Sequence, residues 1–111
     1  FRHYNTHLDH EGPIAQAQGI TMILNRMAED YKKWPVPVIL TGDFNTADFN
    51  EFTVVGGTLI NNAARWYPTF PGGNSAIDNI VYTDCFKEIA SGTVTQSYSD
   101  HYMLWAEFEI N

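Results

Sequence analysis

An α/β fold is predicted by three observations: a helical apolar periodicity across residues 13–33, a short β-branched run directly after it, and a two-residue alternation near the C-terminal end. Phe1 to Leu8 mixes aromatic and polar residues as a strand that runs into a loop at Asp9-His10-Glu11-Gly12. Pro13, with a fixed φ and no N–H to leave unpaired, suits the first helical turn. From there Ile14, Ala17, Ile20, Leu24, Met27 and Tyr31 recur at spacings of three and four, which predicts one apolar face packed on a core. Lys32 and Lys33 fall near the helix C-terminus, where cations complement the dipole. Pro35 and Pro37 bracket a break, and Val38-Ile39-Leu40-Thr41 then reads as a buried strand ending at Gly42. A strand, a helix and a strand in that order imply a right-handed parallel crossover.

Beyond the crossover, Asp48 to Val55 predicts a short helix that Gly56-Gly57 ends, and Pro68, Pro71, Gly72 and Gly73 mark turns between Thr58 and Asn74. Strands are expected at Ala76 to Thr83, Glu88 to Thr95 and Tyr102 to Ile110. In the last of these, Tyr102, Leu104, Ala106, Phe108 and Ile110 alternate with Met103, Trp105, Glu107 and Glu109. Bulk on both faces near its start predicts that this end is sandwiched. The chain carries no internal repeat and no low-complexity tract.

The 111 residues predict a single domain over 1–111 with a small core. A net charge of -7 repels polyanions over most of the surface, so a phosphate site must be local and helped by a divalent cation, and a basic nucleic-acid clamp is not favoured. Cys85 is the only cysteine, which excludes an intrachain disulfide and a Cys-rich zinc site and leaves the compartment open. The sequence has no apolar run long enough to span a bilayer and no signal-peptide pattern at its N-terminus. Because Phe1 already lies inside a strand, a fragment or processed chain with a missing upstream segment is expected.

Four polar segments carry the chemistry. Gly42-Asp43-Phe44-Asn45 follows the buried strand, and a polar pair two residues apart at such an exit can aim two side chains into one crevice. There Asp43 can bind a cation or polarise water, and the Asn45 amide can donate to a phosphoryl oxygen. Alone, Asp and Asn after Gly are more often turn formers. Asp78 sits between Ile77 and Ile80 on an expected strand, where an unpaired carboxylate is costly, so it needs a partner. His101 of Ser99-Asp100-His101 is one candidate; a backbone amide or an Arg is the other. An Asp78–His101 pair would fix the imidazole tautomer and leave the second nitrogen to take a proton from water, while Asp100, on the opposite side of an extended backbone, holds metal. His7 of Asn5-Thr6-His7-Leu8-Asp9-His10 can donate to a phosphate oxygen or the leaving group, ahead of His3 and His10. The abundance of Asp and Asn favours a hard ion over zinc. Arg65, Trp66 and Tyr67 read better as surface or core than as substrate contacts, and Gly72-Gly73-Asn74 lacks the ending of a phosphate loop.

With these four motifs in this order, the whole chain resembles the C-terminal half of the endonuclease/exonuclease/phosphatase superfamily, which includes deoxyribonuclease I, exonuclease III-type repair enzymes, inositol polyphosphate phosphatases and neutral sphingomyelinases. The resemblance implies half of a four-layer α/β/β/α sandwich, with one mixed β-sheet and a helix on its outer face. It implies hydrolysis of phosphoester bonds with a divalent cation, usually Mg2+, with Mn2+ or Ca2+ as alternatives. Carried over residue by residue, His7 matches the His on the scissile phosphate, and Asp43 and Asn45 match the pair that orients the nucleophile and binds a phosphate oxygen. Asp78 matches the Asp supporting the catalytic His101, and Asp100 matches the metal-linked Asp, so that Asp43 and Asp100 are the implied metal ligands. The family's first half supplies an Asn, a metal-binding Glu and an acid behind the equivalent of His7, none of which has a counterpart here. Met103 stands where the family often has Pro.

Two functions follow as expectations. The first is a metal-dependent phosphoester hydrolase of phosphodiesterase, phosphatase or nuclease type, with nuclease second because the charge opposes backbone tracking. The other is a noncatalytic fragment or association module. Either expects a partner over the inner sheet face: the missing N-terminal half or a second copy.

Overall fold

β1 (Arg2–His7) and β2 (Val38–Asp43) run parallel, from Arg2 opposite Val38 to His7 opposite Asp43, and α1 (Pro13–Lys33) makes the crossover between them. The computed structural model describes residues 1–8, 12–46, 58–59, 67–70, 76–95 and 99–110. The helix expected at Asp48 to Val55, with Gly56-Gly57, lies outside the described residues, as do His10, Arg65, Trp66 and Gly72-Gly73-Asn74. β3 (Thr58–Leu59) is a two-residue strand, too short to carry a readable period. β4 (Asp78–Tyr82) runs antiparallel to β2 and to β3, giving a four-stranded mixed sheet in the order β1-β2-β4-β3.

The helix packs by its middle. Ile20 and Met27 are buried, with Ile23 and Leu24 beside them, against Leu8, Val38, Leu40, Phe44, Ala76 and Val81. The expected face is therefore right at its centre and wrong at its ends, where Ile14 is 75% and Tyr31 53% exposed and Ala17 is also exposed. A true 3.6-residue period carries the buried stripe through Gln16 and Asp30, polar residues that make hydrogen bonds to the sheet side instead. Gly19 lets the helix approach β1 closely, since a Cβ there would stand 3.0 Å from Leu8 Cδ2.

A second sheet, β5 (Phe86–Val94) and β6 (Met103–Ile110), is antiparallel with a register shift between Glu88 and Ala90. The expectation of one mixed sheet is thus corrected to two, within the predicted α/β class. The cause is local: Thr83 ties the end of β4 to Val38 through both its backbone and its hydroxyl, and the N–H of Phe86 closes a turn on the Thr83 carbonyl. This turn lifts the chain off the sheet edge and folds it over the face opposite the helix. There Leu104, Ala106 and Phe108 pack with Ile39, Ile80, Tyr82 and Phe86. The Tyr82 and Phe108 ring centroids lie 4.7 Å apart, a separation at which aromatic pairs attract.

The inner face expected to be bare is therefore covered over β2 and β4. Among the described residues, the inner row of β1, comprising His3, Asn5 and His7, stays exposed, as does the outer face of β6. Met103 is 59% and Trp105 38% exposed, so the start of the last strand is packed on one face and open on the other, where a sandwich was expected.

Candidate active site

The three strand ends that carry polar residues meet in one row. His7 is opposite Asp43 in the parallel pair, and Asp43 is opposite Asp78 in the antiparallel pair, so all three side chains share the inner face at one end of the sheet. Gly42 allows this close join: a Cβ there, at φ +155, would collide with the carbonyl of Thr6. Ile77 and Leu8 complete the frame, accepting from the N–H of Phe44 at 2.8 Å and donating to the Asp43 carbonyl at 2.9 Å, respectively.

His101 enters from the segment before β6, on the second sheet. Its Nδ1 lies 2.7 Å from Asp78 Oδ2, and its Nε2 lies 3.4 Å from Asp43 Oδ2. His7 Nε2 approaches the same Asp43 oxygen at 3.3 Å. The other oxygen, Oδ1, accepts the backbone N–H of Asn45 at 2.9 Å. One carboxylate thus stands between two imidazoles and is held from behind by its own loop. Of the two partners open to Asp78, the structure contains the histidine. Burial pulls the pKa of His101 down, but the hydrogen bond to Asp78 and the charges of Asp78, Asp43 and Asp100 outweigh it, leaving the imidazole above its ordinary range.

Asn45 takes a left-handed backbone, φ 49, which is uncommon outside glycine but tolerated by Asn. Its side-chain Nδ2 donates to the carbonyl of Leu8, at the end of β1. An amide nitrogen carries two hydrogens, so this bond leaves one for another acceptor. Asp100 is exposed, and its Oδ1 accepts from Ser99 Oγ at 3.2 Å. It stands outside the group of Asp43, Asp78 and His101, whose ligand atoms lie within 4.8 Å of one another. That group suits a divalent cation in charge and in its oxygen-rich donors, although Asp78 is engaged by the short bond to His101. His3 turns instead to Thr41 Oγ1, at 2.7 Å, and Tyr67 donates its hydroxyl to Ser91 within the core.

Two residues near the site escaped the sequence reading. Thr69 is fully buried; its hydroxyl accepts the N–H of Asp78 at 3.1 Å, and its carbonyl accepts the N–H of Tyr102 at 2.7 Å. It therefore ties the two chain segments that bear Asp78 and His101. It lies between prolines in a stretch read only as turns. Gln16 on α1 donates to the carbonyls of Asn45 and Phe44, at 2.8 and 3.3 Å. A polar residue four before Ile20, on the buried stripe, was the signal available for it.

No family model matches the chain, and no curated protein matches it in sequence. Solved structures do match in fold. A mannosyl-6-phosphatase of Bacteroides thetaiotaomicron superposes with a TM-score of 0.78 at 24% identity, over 97% of this chain and 51% of that one. An endonuclease/exonuclease/phosphatase from Bacteroides vulgatus gives 0.72 at 24% identity, over 95% and 48%. The human Nocturnin catalytic domain, solved with a bound sulfate anion, gives 0.73 at 19% identity, over 96% and 46%. The chain spans about half the length of the structures it matches. It has the fold of one half of the endonuclease/exonuclease/phosphatase domain, and the motif order in its sequence corresponds to the C-terminal half.

Proposed function

We propose that this fold, one half of an endonuclease/exonuclease/phosphatase domain, carries the histidine-bearing part of a site for divalent-metal-dependent hydrolysis of phosphoester bonds. The observation that supports the reading best is the chain of contacts Asp78–His101–Asp43–His7, assembled from four separate segments at one end of two sheets. Asp78 orients His101 through Nδ1 and stabilises the imidazolium. When Nε2 is unprotonated it accepts a proton from water, whose oxygen attacks phosphorus as the bond to the leaving-group oxygen breaks. Asp43 orients that water. His7 and the second hydrogen of the Asn45 amide donate to phosphoryl oxygens as negative charge grows there. Asp43 and, from outside the Asp43–Asp78–His101 group, Asp100 are the residues we assign to the cation, which would offset phosphate charge and acidify water when bound. Mg2+ is the ion we favour, with Mn2+ or Ca2+ as substitutes, because the donors are oxygens.

The same half-length match and the open face at Met103 and Trp105 support a second reading, an association module that works only with a complementary half or a second copy. Magnesium-dependent hydrolysis of a bis-aryl phosphodiester and an aryl phosphomonoester, with mass followed by light scattering, separates the two. On the first reading the chain turns over one of these substrates, and Asp43→Ala and His101→Ala each lower the rate by about 100-fold or more. A folded sample without turnover, or activity unchanged in both variants, would overturn it.

A further inference from the structure

Asn45 does its proposed work from a left-handed backbone, and the structure contains a device that holds it there. Asn tolerates this conformation but does not require it, so its surroundings decide whether it is kept. Its own N–H is taken by Asp43 Oδ1 and its side-chain nitrogen by the Leu8 carbonyl, both within the site frame. The third restraint comes from outside. Gln16, one turn into α1, spans the carbonyls of Phe44 and Asn45 with a single NH2 group, so it restrains the peptide planes on both sides of the Asn45 Cα. Gln16 also stands where the helix ladder begins, its own N–H donating to the carbonyl of the N-cap Gly12 at 2.8 Å. Phe44, immediately before the two anchored peptides, is fully buried, which leaves little room for a shift there. Gln16 also falls on the packing stripe with Ile20, Ile23 and Met27, where a purely structural helix would place an apolar residue.

We propose that Gln16 is a positioning residue, which acts through Asn45 by setting its amide toward a phosphoryl oxygen; the inference rests on the hydrolase reading for that last step. Removing the donor lets the Asn45 peptide rotate out of the left-handed conformation and draws the amide off Leu8.

The test uses the 15N-labelled chain and inorganic phosphate with magnesium as the probe. Two readouts are followed by NMR: the nuclear Overhauser contact between the Asn45 side-chain amide and Leu8, and the phosphate affinity. Gln16→Ala and the equally long Gln16→Glu, which has no donor when ionised, are expected to lose the contact and to bind phosphate about tenfold more weakly. Gln16→Lys, which keeps N–H donors at similar reach, is expected to restore both in part. A contact to Leu8 that persists in both the Ala and Glu variants would overturn the proposal, even if their melting temperatures fall. If the unaltered chain binds no phosphate, the hydrolase reading fails, and the Asn45 contact alone decides for or against Gln16.

Discussion

At the scale of single residues, the chemistry turns on where the proton of His101 goes. Its Nδ1 faces Asp78 and its Nε2 faces Asp43, so both carboxylates favour the protonated imidazole. Its pKa is raised above the ordinary value of 6.5, against the opposing pull of burial. The sign follows directly. The stabilisation this pair gives the fold is fully present below the unfolded pKa and is lost as pH rises through the higher folded value. A base must be unprotonated, so activity is expected to rise with pH through that same raised midpoint. Proton NMR of the His101 ring checks both. In Asp78→Asn the hydrogen bond to an anion is gone while burial stays, so the midpoint is expected to move down; an unchanged midpoint would mean that Asp78 is not the dominant partner. Asp78 and the Asp43–Asn45 pair stood out in the sequence because each broke a local expectation, a carboxylate among isoleucines and a polar pair after a buried strand, whereas His101 drew its weight from Asp78 and His7 from the order of the motifs. Thr69 broke none, and its bonds run through backbone atoms that no sequence pattern encodes.

At the scale of elements, β2 is the keel of the molecule. It pairs with β1 on one side and β4 on the other, buries Leu40 completely and ends in the residues that build the site. Two substitutions test it in different ways. Leu40→Ala opens a cavity between sheet and helix and is expected to cost about 2–5 kcal/mol, read by urea denaturation. Gly42→Ala adds a single methyl group but drives it into the Thr6 carbonyl, so β1 and β2 must part at the rung below His7 and Asp43. It is expected to lower activity more than Leu40→Ala does for an equal loss of stability; the reverse order would place the site's rigidity elsewhere. The crossover was legible because a 21-residue helix between two short strands leaves few alternatives. The division into two sheets was not. Strand patterns give faces and lengths, while the choice of neighbour was made by the Thr83 turn, whose effect depends on Val38 forty-five residues away.

At the scale of the whole chain, the site is built across a joint. Asp43 and Asp78 belong to the four-stranded sheet, whereas His101 leads into β6 of the two-stranded one. Among the described residues that smaller sheet pairs with no further strand, and it is held by an apolar face around Phe108, Tyr82 and Phe86, by the N–H of Tyr102 on the Thr69 carbonyl and by His101 on Asp78. A two-stranded sheet is marginal by itself, so this one depends on its docking for stability. Phe108→Ala is expected to remove about 1–3 kcal/mol from this contact. The excess of acidic residues adds to the effect at low salt, since like charges on the two parts favour separation. The smaller sheet is expected to open as a unit while the helix and the larger sheet remain folded. Each opening would carry His101 away from Asp78, so on the hydrolase reading turnover is expected to scale with the fraction of molecules that are closed. Denaturant should then silence the chain well before the helical circular dichroism changes, and a partner that clamps an edge of β5 or β6 would act as an activator without touching any reacting atom.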